Sequence, residues 1–197
     1  MQRTKVYQEC RLSFPRIHLI PIEQDNANAY HHIYFSPKQL ATLMQTIELQ
    51  PIGLVHSQRT QPIDDQWDSI TSSIDLDAGQ FDPTALQGLE EFSHIEVLYS
   101  FHQVPVNKVE TGARHPRGRE DWPCVGIFAQ RGKNRPNRVG LTVCRLIRIE
   151  GLTIHVAGLD AIDGSPVIDI KPVMFAFDPR GPRKQPSWAE EIMRDYW

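Results

Sequence analysis

The chain has 197 residues, of which 40% are hydrophobic and 23% charged, which suffices for one domain with a buried core. This composition excludes a wholly disordered chain, and no apolar run approaches the roughly 18 residues that a membrane-spanning helix needs. The net charge of −3 is unevenly spread, because residues 61–96 hold nine acidic and no basic side chains, whereas residues 107–148 hold ten basic and three acidic ones. The basic segment keeps a polyanionic partner in consideration despite the negative total.

Residues 1–50 are expected to form an N-terminal extension with one helix. The run Ser36-Pro37-Lys38-Gln39 is typical of a helix start, with Ser as N-cap and Pro at the first helical position. Apolar residues up to Ile47 then follow at helical spacing. The charged first residues leave no apolar core for a signal peptide, so we expect a cytoplasmic protein.

From Pro51 onward, short segments rich in β-branched and aromatic residues alternate with Gly, Pro, Asn and Asp. They indicate a mainly β domain over residues 51–180, a small barrel or sandwich. Glu150-Gly151 is interpreted as a tight hairpin turn. The predicted strands, about seven by this pattern, are residues 52–56, 70–76, 93–101, 125–129, 139–149, 152–159 and 167–173.

Residues 181–197 are predicted to be a C-terminal helical tail. Ser187-Trp188-Ala189-Glu190 has the pattern of a capping box. Trp188, Ile192 and Tyr196 would share one helical face. We therefore expect a short C-terminal helix that docks on the barrel or on a partner.

The loop within residues 126–141 carries four cationic side chains and two glycines between predicted strands. Guanidinium groups bind phosphate or carboxylate bidentately, and glycine lets the backbone approach an anion. The glycine spacing before Gly132-Lys133 does not fit a phosphate-binding Walker loop, and no helix follows. An anion site and a solvated basic turn both remain open.

Three carboxylates, those of Asp160, Asp163 and Asp169, flank an otherwise apolar segment. They are candidates for holding hydroxyl or ammonium groups, or for accepting a proton. Asp169 and Lys171 would share one face of a strand, so a surface ion pair is the alternative for that position. These three aspartates are unranked catalytic candidates.

Two further features each leave alternatives open. Trp67 lies in the acidic run Pro62-Ile63-Asp64-Asp65-Gln66-Trp67-Asp68, which we call the acidic loop. It either stacks on a ligand or anchors an ordinary polar loop. His94 and His102 have even spacing, but neither Cys124 nor Cys144 completes a tetrahedral set, so no metal site is expected.

Five ordered motifs within residues 51–178 resemble those of a known family, the TsaA-like (TrmO-type) S-adenosylmethionine-dependent tRNA methyltransferases. The motifs are Ile52-Gly53-Leu54-Val55-His56-Ser57, then Gly88-Leu89-Glu90-Glu91-Phe92-Ser93-His94-Ile95 together with Phe101-His102, then Phe128-Ala129-Gln130-Arg131, then Arg135-Pro136-Asn137-Arg138-Val139-Gly140-Leu141, and last Asp160-Ala161-Ile162-Asp163-Gly164-Ser165-Pro166-Val167-Ile168-Asp169-Ile170-Lys171-Pro172.

The resemblance implies a small β-barrel that forms a homodimer. It also implies S-adenosyl-L-methionine as methyl donor and the anticodon loop of tRNA as partner. The reaction would be methylation of N6 of threonylcarbamoyladenosine at tRNA position 37. Methylation of another nucleoside or small molecule, or a non-catalytic barrel that binds the donor or RNA, are the alternatives.

The family's donor-binding residues carry over to eleven positions here. Asp64 and Asp65 stand where many members have Pro and Arg, so the acidic loop departs from the family pattern. Lys133, Arg135 and Arg138 are the cations expected to contact RNA phosphates. The expected donor-binding residues are Asp64, Asp65, Gln66, Phe101, His102, Arg131, Leu141, Ala161, Ile162, Asp163 and Gly164.

Overall fold

The computed structural model describes residues 46–197. The helix predicted from Ser36 lies outside the described residues. The chain divides between Leu49 and Gln50 into two units, and the architecture below is that of the second unit. Within residues 46–197, no helix has the length and apolar character needed to cross a membrane.

The strands within residues 46–197 are β1 Gly53–Ser57, β2 Thr71–Leu76, β3 His94–Ser100, β4 Ala113–Arg114, β5 Val125–Gly126, β6 Val139–Glu150, β7 Thr153–Ala157 and β8 Pro166–Pro172. Six of them form a closed antiparallel barrel in the order β1-β2-β7-β6-β3-β8. The two short strands β4 and β5 pair separately.

The helices in the described part of the chain are short. Its one α-helix, α1, spans Ser187–Ile192 near the C-terminus. The 3-10 helices are Pro83–Leu86, Leu89–Glu91, Val106–Lys108, Pro116–Gly118, Ile127–Ala129, Pro136–Arg138 and Phe175–Phe177.

Alternation along the strands builds the barrel core. In β3, Ile95, Val97 and Tyr99 are almost fully buried, while the residues between them are more accessible. The same period of two places Val55 of β1 and Ile154 of β7 inside, as expected when one face of each strand is covered. Each such side chain contributes about 1.5–3 kcal/mol through burial.

The prediction of a mainly β fold is confirmed, and six of the predicted segments form the barrel. The predicted strand over residues 125–129 is wrong beyond Gly126, because Ile127–Ala129 forms a 3-10 helix. An apolar run of that length does not by itself distinguish a strand from a helical turn. The predicted hairpin joins β6 to β7, with Gly151 at φ 62°. The C-terminal helix is present, but its N-cap is Pro186, and Ser187, expected as the cap, is the first helical residue.

Three connections leave the same end of the barrel, because neighbouring strands are antiparallel. They join β1 to β2 (residues 58–70), β3 to β6 (residues 101–138) and β7 to β8 (residues 158–165). We call this the loop end. Almost all the candidate residues named above lie on these connections or at the strand ends beside them.

Candidate functional site

A carboxylate with several hydroxyl partners lies at the loop end. Asp160 Oδ1 accepts hydrogen bonds from the Tyr99 hydroxyl, 2.7 Å away, and from the Thr142 hydroxyl, while Oδ2 accepts one from the Tyr196 hydroxyl. Tyr99 and Thr142 are supplied by β3 and β6, and Tyr196 comes from the C-terminal tail. The structure therefore brings together residues from three separate parts of the chain.

Burial raises the pKa of the Asp160 carboxyl above its ordinary value, and the hydrogen bonds from Tyr196 and Tyr99 and the charge of Arg131 oppose that rise. Burial and the nearby Asp160 charge also raise the pKa of both tyrosine hydroxyls. The hydroxyls therefore stay protonated as hydrogen-bond donors, and the carboxylate can interact with a cationic or hydroxyl-bearing ligand.

Arg131 and Leu141 lie together near Asp160. The Arg131 guanidinium donates to the Leu141 carbonyl, and its charge acts on both Asp160 and Tyr196. Arg131 is exposed, as is Leu141 at 40%. Phe101, half-buried, packs edge-on against Tyr99 with ring centroids 5.3 Å apart. A cation, a carboxylate and apolar surface are thus close to one another.

The acidic loop forms ion pairs with the connection from β3 to β6, residues 101–138, which we call the basic connection. The Arg117 guanidinium donates to both carboxylate oxygens of Asp65, at 3.1 and 2.6 Å. Lys133 Nζ lies 3.1 Å from Asp64 Oδ1. The two oppositely charged segments of the sequence therefore meet at the loop end. Lys133, expected at RNA phosphate, is placed on a carboxylate in this structure.

Arg59 holds the same loop from its other side. Its guanidinium donates to the carbonyls of Asp65 and Gln66, at 2.7 and 3.0 Å, and stacks 4.1 Å from the Trp67 ring centroid. Trp67 is only 3% exposed, so it anchors the loop and does not stack on a ligand. Gln66 has φ 63°, a conformation that L-residues seldom adopt without supporting contacts.

The turn between β7 and β8 carries four more of the residues expected to bind the methyl donor. Ala161 is buried, and Gly164 has φ 73° and donates its N–H to the Val55 carbonyl at 2.8 Å. The His102 ring lies beside Gly164 and 3.4 Å from the Ser165 hydroxyl. The half-buried Ile162 accepts a hydrogen bond from the Ser165 N–H.

The other two aspartates have different surroundings from Asp160. Asp163 accepts a hydrogen bond from the Ser57 N–H at 3.0 Å and lies 3.8 Å from the His56 ring, and its own N–H donates to the Arg59 carbonyl. Asp169 forms an ion pair with Lys171 on β8. The ion pair anticipated for Asp169 is therefore present.

Two of the cations assigned to RNA contact backbone carbonyls. Arg135 donates to the Gln130 carbonyl at 3.3 Å, and Arg138 donates to the Val104 carbonyl at 2.8 Å. Both side chains brace the long connection that carries Arg131. Among the described residues, no group of three or more His, Cys, Asp or Glu side chains is placed to hold a metal ion.

Sequence reasoning missed several residues of this site. Tyr99 follows Ile95 and Val97 at every second position of β3, so the sequence pattern indicated only a place in the core. Tyr196 was assigned to a docking helix, but α1 ends at Ile192. Arg59 and Arg117 had no signal beyond their charge. The antiparallel topology, which collects three connections at one end, makes Tyr99, Arg59 and Arg117 neighbours of the predicted residues. The C-terminal tail brings Tyr196 to the same place.

Comparison with known proteins shows what this chain is similar to. Residues 55–179 match the model of the tRNA-methyltransferase O N-terminal domain. A "tRNA (adenine(37)-N6)-methyltransferase" of Mus musculus is 39% identical over 94 residues, which are 48% of this chain and 21% of that protein. A "Probable S-adenosyl-L-methionine-binding protein" of Methanothermobacter thermautotrophicus is 38% identical over 139 residues, 68% of this chain and 96% of that protein.

Solved structures have a similar fold. The crystal structure of TrmO from Pseudomonas aeruginosa superposes with a TM-score of 0.57 at 29% identity, covering 71% of this chain and 61% of that one. The match thus spans less than two thirds of that structure, and about a fifth of the mouse protein. The archaeal protein is matched over nearly its whole length.

Proposed function

This chain belongs to the tRNA-methyltransferase O N-terminal domain family, and we propose that it transfers the methyl group of S-adenosyl-L-methionine to N6 of adenosine in tRNA. The finer proposal is threonylcarbamoyladenosine at position 37 as the methylated nucleoside. The observation that carries the proposal is the meeting at the loop end of Asp160, Arg131 and the 64–66 loop.

The side chains at the loop end match the chemical groups of the donor. The Arg131 guanidinium suits a carboxylate, the negative charge of Asp160 attracts a sulfonium, and Phe101 and Leu141 offer apolar surface to an adenine ring. S-adenosylmethionine, when bound, supplies an electrophilic methyl group on a positively charged sulfur. Asp64 and Asp65 add negative charge at the loop end, although ion pairs with Lys133 and Arg117 offset part of that charge.

Methyl transfer from a sulfonium to a nitrogen is an in-line displacement, and the protein's main contribution to it is alignment of the two reactants. The nitrogen that gains a methyl group must also lose its proton, and a partly buried carboxylate with a raised pKa suits that role. Of the three aspartates, we assign Asp160 to it, because Asp169 pairs with Lys171 and Asp163 is bonded to the β1 backbone.

The basic connection provides the proposed contact with tRNA. Lys133, Arg135 and Arg138 lie on the segment that carries Arg131, so RNA bound there would be adjacent to the donor. A tRNA substrate implies action in the cytoplasm. The proposed homodimer is supported by the exposed apolar side chains of β6, namely Leu141, Val143 and Ile147, and light scattering of the full chain tests it.

Mass spectrometry of tRNA nucleosides tests the function. In a strain that lacks this gene, the N6-methylated threonylcarbamoyladenosine should disappear, and a plasmid copy should restore it. Loss of a different methylated nucleoside would retain the methyltransferase and overturn the finer substrate. Donor binding without any change in tRNA nucleosides would favour a non-catalytic binding protein.

A further inference from the structure

The C-terminal residues Asp195, Tyr196 and Trp197 lie against the candidate donor site. We call them the strap. They follow the segment that matches the family model, which ends at residue 179. Their contacts reach two of the three connections at the loop end, the acidic loop and the turn that carries Asp160.

The strap holds the acidic loop through backbone hydrogen bonds. The Gln66 N–H donates to the Asp195 carbonyl at 2.9 Å, and the Trp67 N–H donates to the Tyr196 carbonyl at 2.8 Å. Arg59 binds the Gln66 carbonyl on the other side of the same residue, at 3.0 Å. The positive φ of Gln66 is therefore fixed from both sides of the residue, which preorganises the loop.

The strap also orients Asp160. An ionised carboxylate has about four acceptor positions, and the hydroxyls of Tyr99, Thr142 and Tyr196 occupy three of them. One acceptor position therefore remains free for a hydrogen bond or a proton from a bound ligand. Because the three hydroxyls come from β3, β6 and the strap, the carboxylate is held from three directions.

We propose that Tyr196 is a positioning residue of the methyl-donor site, which acts through Asp160 and the 64–66 loop. The inference rests on the proposed function, since the ligand is the methyl donor. It makes the C-terminal strap, outside the family-matched segment, a part of the site that determines donor affinity.

The test compares Tyr196→Phe with the wild-type full chain by calorimetric titration with S-adenosyl-L-methionine. Loss of one hydrogen bond to a charged group should weaken donor binding about tenfold, while the melting temperature changes little. The matched control is Glu191→Ala, which removes the tail's hydrogen bond to the Trp122 indole and leaves the strap residues in place. It should bind the donor as the wild type does.

A pH profile separates positioning from general stabilisation. The Tyr196 hydrogen bond lowers the pKa of Asp160, so the acid limb of donor binding should move to higher pH in Tyr196→Phe. The ionisable or polar groups around the carboxylate are Tyr99, Thr142, Cys144, Arg131 and Tyr196. A chain that ends at Arg194 should bind the donor more weakly than Tyr196→Phe, because the loop also loses both backbone acceptors.

Each outcome decides between the two proposals. Equal donor affinity of wild type and Tyr196→Phe would overturn this inference alone. Tighter binding by the variant, or by the chain that ends at Arg194, would show that the strap obstructs the site, and would overturn it as well. A wild-type chain that binds no donor would overturn the proposed function and the inference together.

Discussion

The ring of Tyr99 lies directly over Gly140, its partner across β3 and β6. A Cβ atom added to Gly140 would lie 2.4 Å from the ring. The ring is 1% exposed and its hydroxyl binds Asp160, so it cannot move without disturbing that carboxylate. The glycine therefore has a role in both the barrel core and the candidate site.

Gly140→Ala should consequently lower the free energy of unfolding by about 1–3 kcal/mol, the range for overpacking a core. It should also weaken donor binding, because the displaced ring carries one of the three hydroxyls on Asp160. Urea unfolding and calorimetry measure the two effects. Gly126→Ala is the control, since φ is −58° there and nothing lies within 4 Å of the added Cβ. Wild-type behaviour of Gly140→Ala would contradict the packing described.

Asp160→Asn should change the pH dependence of stability. Burial raises the pKa of Asp160 above its ordinary 3.8, so the native state binds this proton more tightly than the unfolded state does. The stabilisation from this proton is complete below about pH 3.8 and is lost as the pH rises through the native pKa. The wild type should therefore lose stability relative to Asp160→Asn as the pH rises above about 4 and passes the raised native pKa, as thermal unfolding would measure. A constant difference over that range would contradict a raised pKa.

Arg131→Ala should abolish detectable donor binding in calorimetry, because the guanidinium is the cation proposed to hold the donor's carboxylate. Arg145→Ala, which removes an exposed cation from β6, is the matched control. Unchanged donor affinity in Arg131→Ala would remove this residue from the donor site.

The double variant Lys133→Ala, Arg135→Ala should bind tRNA more weakly and with a shallower salt dependence. Each phosphate that the variant no longer neutralises should reduce the slope of log K against log salt by about 0.7 for single-stranded RNA. Lys171→Ala, whose ammonium pairs with Asp169 on β8, is the control for removal of a positive charge. An unchanged slope would show that these cations do not contact RNA, and that they only stabilise the acidic loop and the basic connection.

Cys144 should resist alkylation in the native protein. Burial, followed by the charge of Asp160, raises the pKa of its thiol to about 12, so little thiolate exists at pH 8. Mass spectrometry of the Cys144 peptide after iodoacetamide treatment should show labelling in urea and almost none without it. Similar labelling rates in both conditions would contradict the burial of this side chain.

The barrel strands were predictable from sequence because burial follows the alternation of residues, as in Ile95, Val97 and Tyr99 of β3. The end of strand β5 at Gly126 and the start of a 3-10 helix at Ile127 were not predictable, since both pieces belong to one apolar run. Their separation depends on pairing with Ala113–Arg114, a contact that local propensity does not reveal.

The donor candidates came from motif resemblance, but their partners required three-dimensional structure. Lys133 reaches Asp64 across 69 positions of sequence, and Tyr196 reaches Asp160 across 36. Charge counting located the acidic and basic segments without indicating that they meet. The first pairing follows from the antiparallel strand order and the second from the path of the C-terminal tail, and composition and periodicity determine neither.

Closure of the barrel has a consequence for how the chain folds during synthesis. The barrel is closed by pairing β1 with β8, its first and last strands in chain order, through Gly53 with Val167 and Leu54 with Pro166. Until β8 has left the ribosome, one edge of β1 has no partner and remains open to other strands. Pairing of strands so distant in sequence is slow. We therefore expect the nascent chain to be most prone to aggregation just before its last barrel strand emerges.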